Sequence, residues 1–539
     1  MVKKLALFCN VLLFAGIFFF FAVYRKQPDT PSSLASGSLS VQVQEANILY
    51  QSLPKTLETK ELRVCFREEE LACDRSTNTF YLPVNMDEPT WEAGTFTEIN
   101  KELEVLPLED YTTFDKKKTV AEGSRVLFLV WDKKEDSCAT IDVVFTGLSI
   151  TRIETDANLE IDTVFAGSVV FYQDCGQRNW TLTSAFQAKE RGQTTREFPK
   201  KGYRLNLISI TPTGVVRENK KSVLGMRSSD SWIFYAIYSD ESKVRDKLNI
   251  ELWNEFGASP QENQIHFGTH MEYTELFVNG EYRGLYGILE PIDSAQLSIF
   301  EHEYLYKRTY GRELRSELFD EVPTEEYLGV LGMDIKGREE YGSKADWECF
   351  RRFVELCEKD DEDFTEEAEI LLDIDNFTDI WLYLQMIYGE DNIYKNMFFA
   401  FKKETRDYRL YLIPWDVDLS WGNIYVDDGE KLYTTYAPKR ASEYLEWPFA
   451  DRVLSLDVGG VKSLAAKKWQ SLREGTLSEE HIEEVLLECI HLVQDSGAFA
   501  RDADRWPLSP HSSDMKNIRL FMKERMVFMD AYMDKIEVE

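Results

Sequence analysis

Residues 391–396 are Asp-Asn-Ile-Tyr-Lys-Asn, and residues 415–418 are Trp-Asp-Val-Asp. Two short β-like runs, 397–401 and 408–413, lie between these segments and predict a hairpin. Carboxylate and amide oxygens are the side-chain ligands that suit Mg²⁺, and proteins commonly hold this ion against phosphate groups. The two segments therefore predict a site for a divalent ion beside a bound phosphate.

The order of these side chains indicates a role for each. Protein kinases present a base, then an amide that binds metal, and then a carboxylate that binds metal. By that order Asp391 orients the substrate hydroxyl or accepts its proton, and Asn396 is a metal ligand. Asp416 and Asp418 occupy alternate positions at a predicted strand end, so they are expected to point the same way and to need a cation between them. Both aspartates are predicted as metal ligands. A family resemblance, given below with its motifs, implies that Asp416 is the bridging ligand and that Asp418 is a second ligand or its support.

The chain upstream of Asp391 shows the pattern of a sheet followed by one helix and a hairpin. A helix is predicted over 242–256, with Asp240 as its N-cap. Asn279-Gly280 between two alternating runs predicts a tight hairpin. Strand-like segments precede the helix at 141–146, 150–155, 167–172 and 203–209. This order of elements, with helices after it, is that of a two-lobed kinase.

We predict an α+β, two-lobed, atypical protein-kinase-like fold with an added N-terminal β-rich domain and a single N-terminal transmembrane helix. The predicted segments are an anchor at 1–26, a linker at 27–48, a small β-rich domain at 49–135, an N-lobe at 136–291 and a C-lobe at 292–539. Within the C-lobe, residues 300–375 have the composition of an acidic insertion.

The N-terminus and the net charge bear on where the protein acts. Residues 5–24 carry almost no charge and have about the length of a bilayer-spanning helix. The lysines before this run slightly favour an internal N-terminus, which predicts a single-pass membrane protein with its large domain extracytoplasmic. A cleaved secretory signal is the alternative. The formal net charge of −33 repels nucleic acid, so no nucleic-acid partner is expected.

Basic residues that cluster in so acidic a chain are expected to contact an anion. Lys200 and Lys201 enter a predicted strand, and alternation leaves one of them facing inward, toward phosphate. Arg204 is a rival for that role, and Arg191 in the preceding turn is placed to cradle phosphate. The sequence alone does not choose among these residues.

Two glutamates are further candidates for cofactor binding. Glu251 lies on the predicted helix and is the candidate for the glutamate that orients the site, while Arg245 on the same helix could pair with acidic groups instead. Glu290 ends the predicted hairpin where a hinge would lie, and the adenine is expected to meet backbone there. Glu290 then either binds a ribose hydroxyl or closes the strand.

Several motifs in order carry a resemblance to a known family. They are Arg191-Gly-Gln-Thr-Thr-Arg-Glu-Phe-Pro-Lys-Lys-Gly-Tyr-Arg-Leu, Ser239-Asp240 with Arg245, Val278-Asn-Gly-Glu-Tyr-Arg-Gly-Leu-Tyr with Glu290, and the two segments quoted first. Over roughly residues 140–539 the sequence resembles the CotH-type spore-coat kinases. One position departs from that family: this chain has Arg245-Asp246 where the family usually has Arg-Asn, so a role for Asp246 is in doubt.

The family consists of secretory-pathway-like atypical protein kinases. The resemblance implies ATP and Mg²⁺ (or Mn²⁺) as cofactors, a protein as substrate, and transfer of the γ-phosphate to Ser or Thr of an exported or envelope protein. Because ATP is scarce outside cells, a binding or scaffold protein on a kinase-like frame is a second hypothesis, and AMP transfer from ATP is a third. A glycosidase is disfavoured because Asp416 and Asp418 lie on one strand rather than across a cleft.

Overall fold

The structure, a computed structural model, describes residues 38–536 apart from 93, 100, 157–162, 193, 258–264, 311–312, 321–323, 325–330, 339–341, 405–406 and 431. The described chain mixes helices and strands and divides into two units. The first unit takes in residues up to Ala236, Glu272–Ile288 and Leu492–Pro507. The second takes in Ile237–Met271, Leu289–His491 and the residues from Leu508 onward.

The helices of the described residues follow one another mostly in the second half of the chain. In chain order they are α1 (Leu39–Ser52), α2 (Lys116–Ala121), α3 (Arg245–Phe256), α4 (Glu348–Glu358), α5 (Asp361–Leu371), α6 (Ile374–Ile387), α7 (Glu390–Tyr394), α8 (Pro448–Ser455), α9 (Val461–Arg473), α10 (Glu479–Gln494), α11 (Ala498–Arg505) and α12 (Lys516–Met533). Short 3₁₀ turns lie at Tyr111–Thr113, Thr194–Glu197, Ser316–Phe319, Lys344–Trp347, Pro438–Ser442 and Val458–Gly460.

The first unit contains two eight-stranded sheets. The strands of the first sheet are β1 (Val64–Phe66), β2 (Glu69–Glu70), β3 (Ala72–Asp74), β4 (Thr79–Pro83), β5 (Phe96–Glu98), β6 (Leu103–Pro107), β7 (Arg125–Asp132) and β8 (Ser137–Thr146). They lie in the order β2-β1-β5-β6-β7-β8-β4-β3. Val126, Phe128 and Val130 lie on one face of β7 and are fully buried in one hydrophobic cluster, whereas Leu129 on the opposite face is fully buried in another.

The second sheet follows in sequence and contains the predicted hairpin. Its strands are β9 (Ser149–Glu154), β10 (Phe165–Tyr172), β11 (Thr181–Arg191), β12 (Gly202–Ile210), β13 (Val216–Glu218), β16 (Ser231–Tyr235), β17 (Met271–Val278) and β18 (Glu281–Leu289), and a separate pair is formed by β14 (Lys221–Ser222) and β15 (Ser228–Ser229). The sheet order is β11-β10-β9-β17-β18-β16-β12-β13, and β11 also pairs with β12. Asn279 and Gly280 have φ of 51° and 72°, so the predicted tight turn is confirmed.

The second unit builds its own smaller sheet. The strands are β19 (Tyr304–Arg308), β20 (Met333–Lys336), β21 (Met397–Lys403) and β22 (Tyr408–Pro414), in the order β20-β19-β21-β22, with a separate pair β23 (Asn423–Asp427) and β24 (Leu432–Tyr436). The predicted hairpin of β21 and β22 is confirmed. The segment predicted as an acidic insertion supplies β19 and β20, and β19 pairs directly with β21.

The start of α3 differs from the prediction by three residues. The helix begins at Arg245 rather than at residue 242, because Lys243 has φ of 62° and breaks the helical path. Asp240 nevertheless serves the helix start, since its Oδ2 accepts the backbone N–H of Arg245 at 2.9 Å. The carboxylate of Asp240 therefore accepts a hydrogen bond from the first residue of α3, and Asp246 is the second residue of this helix.

The prediction of a single-pass membrane protein requires correction. Within the described residues, no helix is both long enough and apolar enough to cross a bilayer. The run at 5–24, on which the predicted anchor rested, lies outside the described residues. The fold of the described residues is mixed α/β without a transmembrane helix, and the predictions of that helix and of a membrane localisation are wrong.

Candidate metal centre and active site

Three carboxylates of the second unit meet at one point. One oxygen from each of Asp246, Asp416 and Asp418 lies within 4.8 Å of the other two. Asp246 comes from the first turn of α3 and is buried, whereas Asp416 and Asp418 follow β22 and are half-buried. The structure thus brings together the two aspartates that were predicted as metal ligands, and adds a third carboxylate that the sequence left without a role.

The backbone explains how Asp416 and Asp418 converge. Strand β22 ends at Pro414, so the two aspartates do not occupy alternate strand positions as predicted. Asp416 instead has φ of 59°, in the left-handed region that Asp tolerates better than most residues. The turn at Asp416, rather than strand alternation, brings the two side chains together.

The electrostatics of this cluster favour a bound cation. Burial, followed by the charges of Asp418 and Asp416, raises the pKa of Asp246 well above its ordinary value. The backbone N–H of Val417 donates to Asp246 Oδ1 at 2.9 Å and opposes this shift. Three carboxylates that repel one another and offer converging oxygens have the chemistry of a site for a hard divalent ion.

Asn249, one turn after Asp246 on α3, holds the segment that carries the aspartates. We call residues 415–421 the metal turn. The Asn249 amide nitrogen donates to Val417 O at 2.8 Å and to Ser420 Oγ at 2.7 Å, and its oxygen accepts from Trp421 Nε1 at 2.7 Å. Asn249 is completely buried, so these bonds fix the metal turn on α3.

Replacing Asn249 by Ala is expected to weaken both folding and metal binding. The substitution leaves buried polar groups of the metal turn without partners, which costs about 1–3 kcal/mol in the free energy of unfolding. Urea unfolding measures this loss, and Mn²⁺ titration measures the affinity. Asn254→Ala is the matched control, since the side chain of Asn254 on the same helix donates to Thr269 O at 3.0 Å instead of to the metal turn. Equal Mn²⁺ affinity of both variants would contradict the role of Asn249.

Asp246→Asn is expected to stabilise the metal-free protein near neutral pH. The raised pKa means that the folded state holds the Asp246 proton more tightly than the unfolded state does. The stability from this group is full below pH 3.8, the ordinary value, and is lost as the pH rises through the folded pKa. In EDTA at about pH 7 the variant should therefore melt a few degrees above the wild type. It should also lose the rise in Tm that Mg²⁺ produces in the wild type, and an unchanged rise would contradict the metal site.

Residues 389–396, which we call the Asp391 loop, are joined to the metal turn by hydrogen bonds. Helix α6 ends at Ile387, its C-cap residue Tyr388 has φ of 53°, and the short helix α7 then carries Asp391. Asn392 Nδ2 donates to Trp415 O at 2.8 Å and to Asn396 O at 3.0 Å. Trp415 N–H also donates to Asn396 O at 3.0 Å. These bonds place the start and the end of the predicted motif side by side.

Asp391 has two polar partners and an altered pKa. Its Oδ2 accepts from Asn396 Nδ2 at 2.7 Å, and its Oδ1 lies 3.3 Å from Lys395 Nζ. Burial raises the pKa of Asp391, the charge of Asp416 adds to the increase, and Lys395 and Asn396 oppose it. The structure thus brings Asp391 and Asn396 together and couples Asp391 to the carboxylate cluster. Metal ligation by Asn396 stays a prediction.

The predicted phosphate ligands lie in the first unit, where several have protein partners. Lys200 is completely buried, with Nζ 2.6 Å from Asp502 Oδ1 and 2.5 Å from Leu285 O, and burial lowers its pKa. Lys201 Nζ lies 3.7 Å from Glu190 Oε1. The inward-facing lysine of the pair is therefore held in the interior by Asp502 of α11.

The two remaining basic candidates lie on the second sheet. Arg204 on β12 donates from Nε to Ser231 Oγ at 3.0 Å. Arg191 ends β11, where it pairs with Gly202. Contact of either residue with a phosphate stays a prediction.

Glu251 and Glu290 both raise the pKa of His270, a residue that was not among the predicted site residues. Glu290 is buried and its Oε2 lies 3.1 Å from His270 Nδ1. The hydrogen bond to Glu290 raises the pKa of His270, and the charge of Glu251 adds to the increase. Glu251 itself pairs with Lys247 at 2.8 Å on α3. Nucleotide binding by either glutamate stays a prediction.

Comparison with known proteins supports the interpretation of this site. The family described as CotH kinase protein matches residues 188–529, which include α3, the Asp391 loop and the metal turn. The chain therefore belongs to the CotH kinase protein family. No curated protein matches the chain. Membership of this family supports phosphotransfer of the kinase type.

Proposed function

We propose that this chain is a protein kinase that transfers the γ-phosphoryl group of ATP to the hydroxyl of a Ser or Thr residue in a protein. The observation that supports this most is the cluster of the carboxylates Asp246, Asp416 and Asp418 in a member of the CotH kinase protein family. The metal turn of this cluster accepts a hydrogen bond from Asn392, the neighbour of Asp391. A base beside a carboxylate cluster is the arrangement that phosphoryl transfer requires.

The carboxylate cluster fits Mg²⁺ or Mn²⁺. Asp246, Asp416 and Asp418 would supply the oxygen ligands, and the buried Asp246 carries a raised pKa that a cation would reverse. A divalent ion bound there would neutralise charge on the phosphates of ATP. Asn249 and the N–H of Val417 keep the ligands in position, so little reorganisation is needed when the site fills.

Asp391 is placed to act on the substrate hydroxyl. Its carboxylate is half-buried, and the bond from Asn396 fixes its orientation. The pKa of Asp391 is raised by burial and by Asp416, which makes the carboxylate a better proton acceptor than an exposed aspartate. The hydroxyl proton would pass to Asp391 late in the transfer, after the oxygen has approached phosphorus.

Transfer from ATP that is labelled at either the γ- or the α-phosphate tests the proposal. The full chain is incubated with Mg²⁺, an acceptor protein rich in Ser and Thr such as dephosphorylated casein, and ATP labelled at the γ- or the α-phosphate. Transfer of the γ-label, lost in Asp391→Asn and found on Ser or Thr after acid hydrolysis, is the expected result. Transfer of the α-label instead would indicate AMP transfer. Metal-dependent binding of ATP without any transfer, to casein or to the chain itself, would favour a binding protein.

A further inference from the structure

A groove runs over the second unit at one end of the β21–β22 hairpin. It joins a cavity of about 200 Å³ to one of about 520 Å³, because Cys349, Arg352 and Tyr408 line both cavities. Tyr408 pairs with Lys403 at this end of the hairpin, whereas the metal turn begins at the other end, after Pro414. We call the two joined cavities the hairpin groove.

The smaller cavity of the hairpin groove presents an apolar surface. Leu356 of α4 and Phe401 of β21 line it and are buried, and Leu371 of α5 lines it and is half-buried. Ile370 of α5 also lines it, with 53 % of its surface exposed. Because covering exposed apolar surface is favourable in proportion to its area, this cavity favours a bulky apolar side chain of a partner.

The larger cavity carries two exposed cations, Arg352 of α4 and Lys344 of the 3₁₀ turn before it. Lys344 Nζ donates to a backbone oxygen, Asp320 O, at 3.0 Å. Among the residues that the structure describes, neither cation forms an ion pair with a carboxylate. In a chain with a formal net charge of −33, two such cations at one cavity indicate a place for an anionic group.

Two of the carboxylates that line the hairpin groove are paired with other cations. Glu348 of the larger cavity accepts from Arg351 Nη2 at 2.9 Å and from Arg351 Nε at 3.0 Å. Glu367 of the smaller cavity pairs with Lys359, and Asp407 also lines that cavity. The larger cavity therefore keeps a positive charge beside the apolar surface of the smaller one.

We propose that the hairpin groove is a docking site for the protein substrate, separate from the site of transfer; the proposal rests on the proposed kinase function. The occupant is an extended segment of the substrate, with an acidic residue beside Arg352 and Lys344 and a bulky apolar residue beside Ile370. Opposite charge and apolar burial together select this segment over a basic one. Docking raises the local concentration of the substrate hydroxyl, which lowers the KM for the protein substrate and leaves kcat unchanged.

The length of the hairpin sets the spacing between the docking segment and the phosphorylated residue. Strand β21 has seven residues, which corresponds to roughly 20 Å at about 3.3 Å per residue. An extended chain needs about six residues to span this distance. The docking segment is therefore expected to lie at least about six residues from the Ser or Thr that receives phosphate.

Kinetics of charge-changing variants of the full chain test the docking site, with dephosphorylated casein as the acceptor. Arg352→Glu and Ile370→Glu are each expected to raise the KM for casein about tenfold, with kcat and the Kd for Mg·ATP unchanged. Lys523→Glu and Val527→Glu are the matched controls on α12 of the same unit, because Lys523 is also exposed and Val527 is 62 % exposed. Both controls should keep the wild-type KM.

A competing peptide without Ser or Thr tests the chemistry of the occupant. A synthetic peptide of glutamate and leucine residues separated by glycine should inhibit transfer to casein competitively in the wild type, and far less in Arg352→Glu. The same peptide with lysine in place of glutamate should not inhibit. Stronger inhibition by the lysine peptide would overturn the acidic docking segment.

The remaining outcomes separate a failure of the docking site from a failure of the proposed function. An unchanged KM for casein in both groove variants would overturn the docking site and leave the kinase function intact, and so would a lower kcat at an unchanged KM. If the wild type transfers no phosphate, the proposed function fails, and binding of fluorescent casein then decides about the groove. Weaker binding in Arg352→Glu than in Lys523→Glu would support a protein-binding groove, and equal binding would overturn it.

Discussion

Replacing Asp391 by Asn is expected to slow phosphate transfer by about a hundredfold to ten-thousandfold. The amide has nearly the same shape as the carboxylate and keeps a carbonyl oxygen for the bond from Asn396. It cannot take the hydroxyl proton, and it removes the negative charge that interacts with Asp416. Steady-state transfer of the γ-label at saturating ATP measures the effect.

Nucleotide binding separates this effect from misfolding. The carboxylate cluster is unchanged in Asp391→Asn, so calorimetry should find Mg·ATP bound as tightly as in the wild type. Asp379→Asn is the matched control, because Asp379 is also half-buried, has a pKa raised to about 6 by burial, and pairs with a lysine, Lys468, at 2.7 Å. The control should transfer phosphate at the wild-type rate. Near-normal transfer by Asp391→Asn would contradict its role as the base.

Replacing Asp416 by Asn is expected to lower the transfer rate at least about a hundredfold, and to abolish Mg²⁺-dependent binding of ATP. The loss of one carboxylate reduces the charge that attracts the cation and the number of anionic ligands. Asn is preferred to Ala here because Asp416 has φ of 59°, and Asn adopts this conformation with less strain than Ala. The variant therefore changes the charge with little disturbance of the metal turn.

A second aspartate with the same backbone conformation provides the control for Asp416. Asp457 has φ of 49° and lies in the same unit, outside the cluster. Asp457→Asn should bind Mg·ATP and transfer phosphate as the wild type does. If Asp416→Asn behaves like Asp457→Asn, then Asp416 does not bind the metal. The two expected phenotypes also differ from each other, because Asp391→Asn retains nucleotide binding and Asp416→Asn loses it.

The part of the site that the sequence predicts is the part formed by neighbouring residues. Asp391 and Asn396 lie just before a hairpin, and Asp416 lies just after it. Because β21 pairs with β22, the end of the hairpin lies beside its start, and Asp416 returns to the neighbourhood of Asn396. The Asn279-Gly280 turn was predictable for the same reason, since two residues specify its geometry. Local patterns of this kind need no knowledge of the remaining chain.

Contacts between distant segments were not predictable from local patterns. Asp246 meets Val417 across 171 positions, and Lys200 meets Asp502 across 302 positions. The departure from the family at Asp246 was visible in the sequence, but only the packing of α3 against the metal turn shows that it adds a third carboxylate. One of Lys200 and Lys201 was expected to face phosphate, and nothing near Lys200 in sequence indicated that α11 would supply a buried partner.

Manganese titration of the full chain, followed by electron paramagnetic resonance, is the decisive measurement for the metal centre. The wild type and Asp457→Asn should bind Mn²⁺ saturably, whereas Asp246→Asn and Asp416→Asn should bind it far more weakly. Wild-type affinity in both of these cluster variants, or no saturable Mn²⁺ binding by the wild type, would contradict a metal centre at Asp246, Asp416 and Asp418.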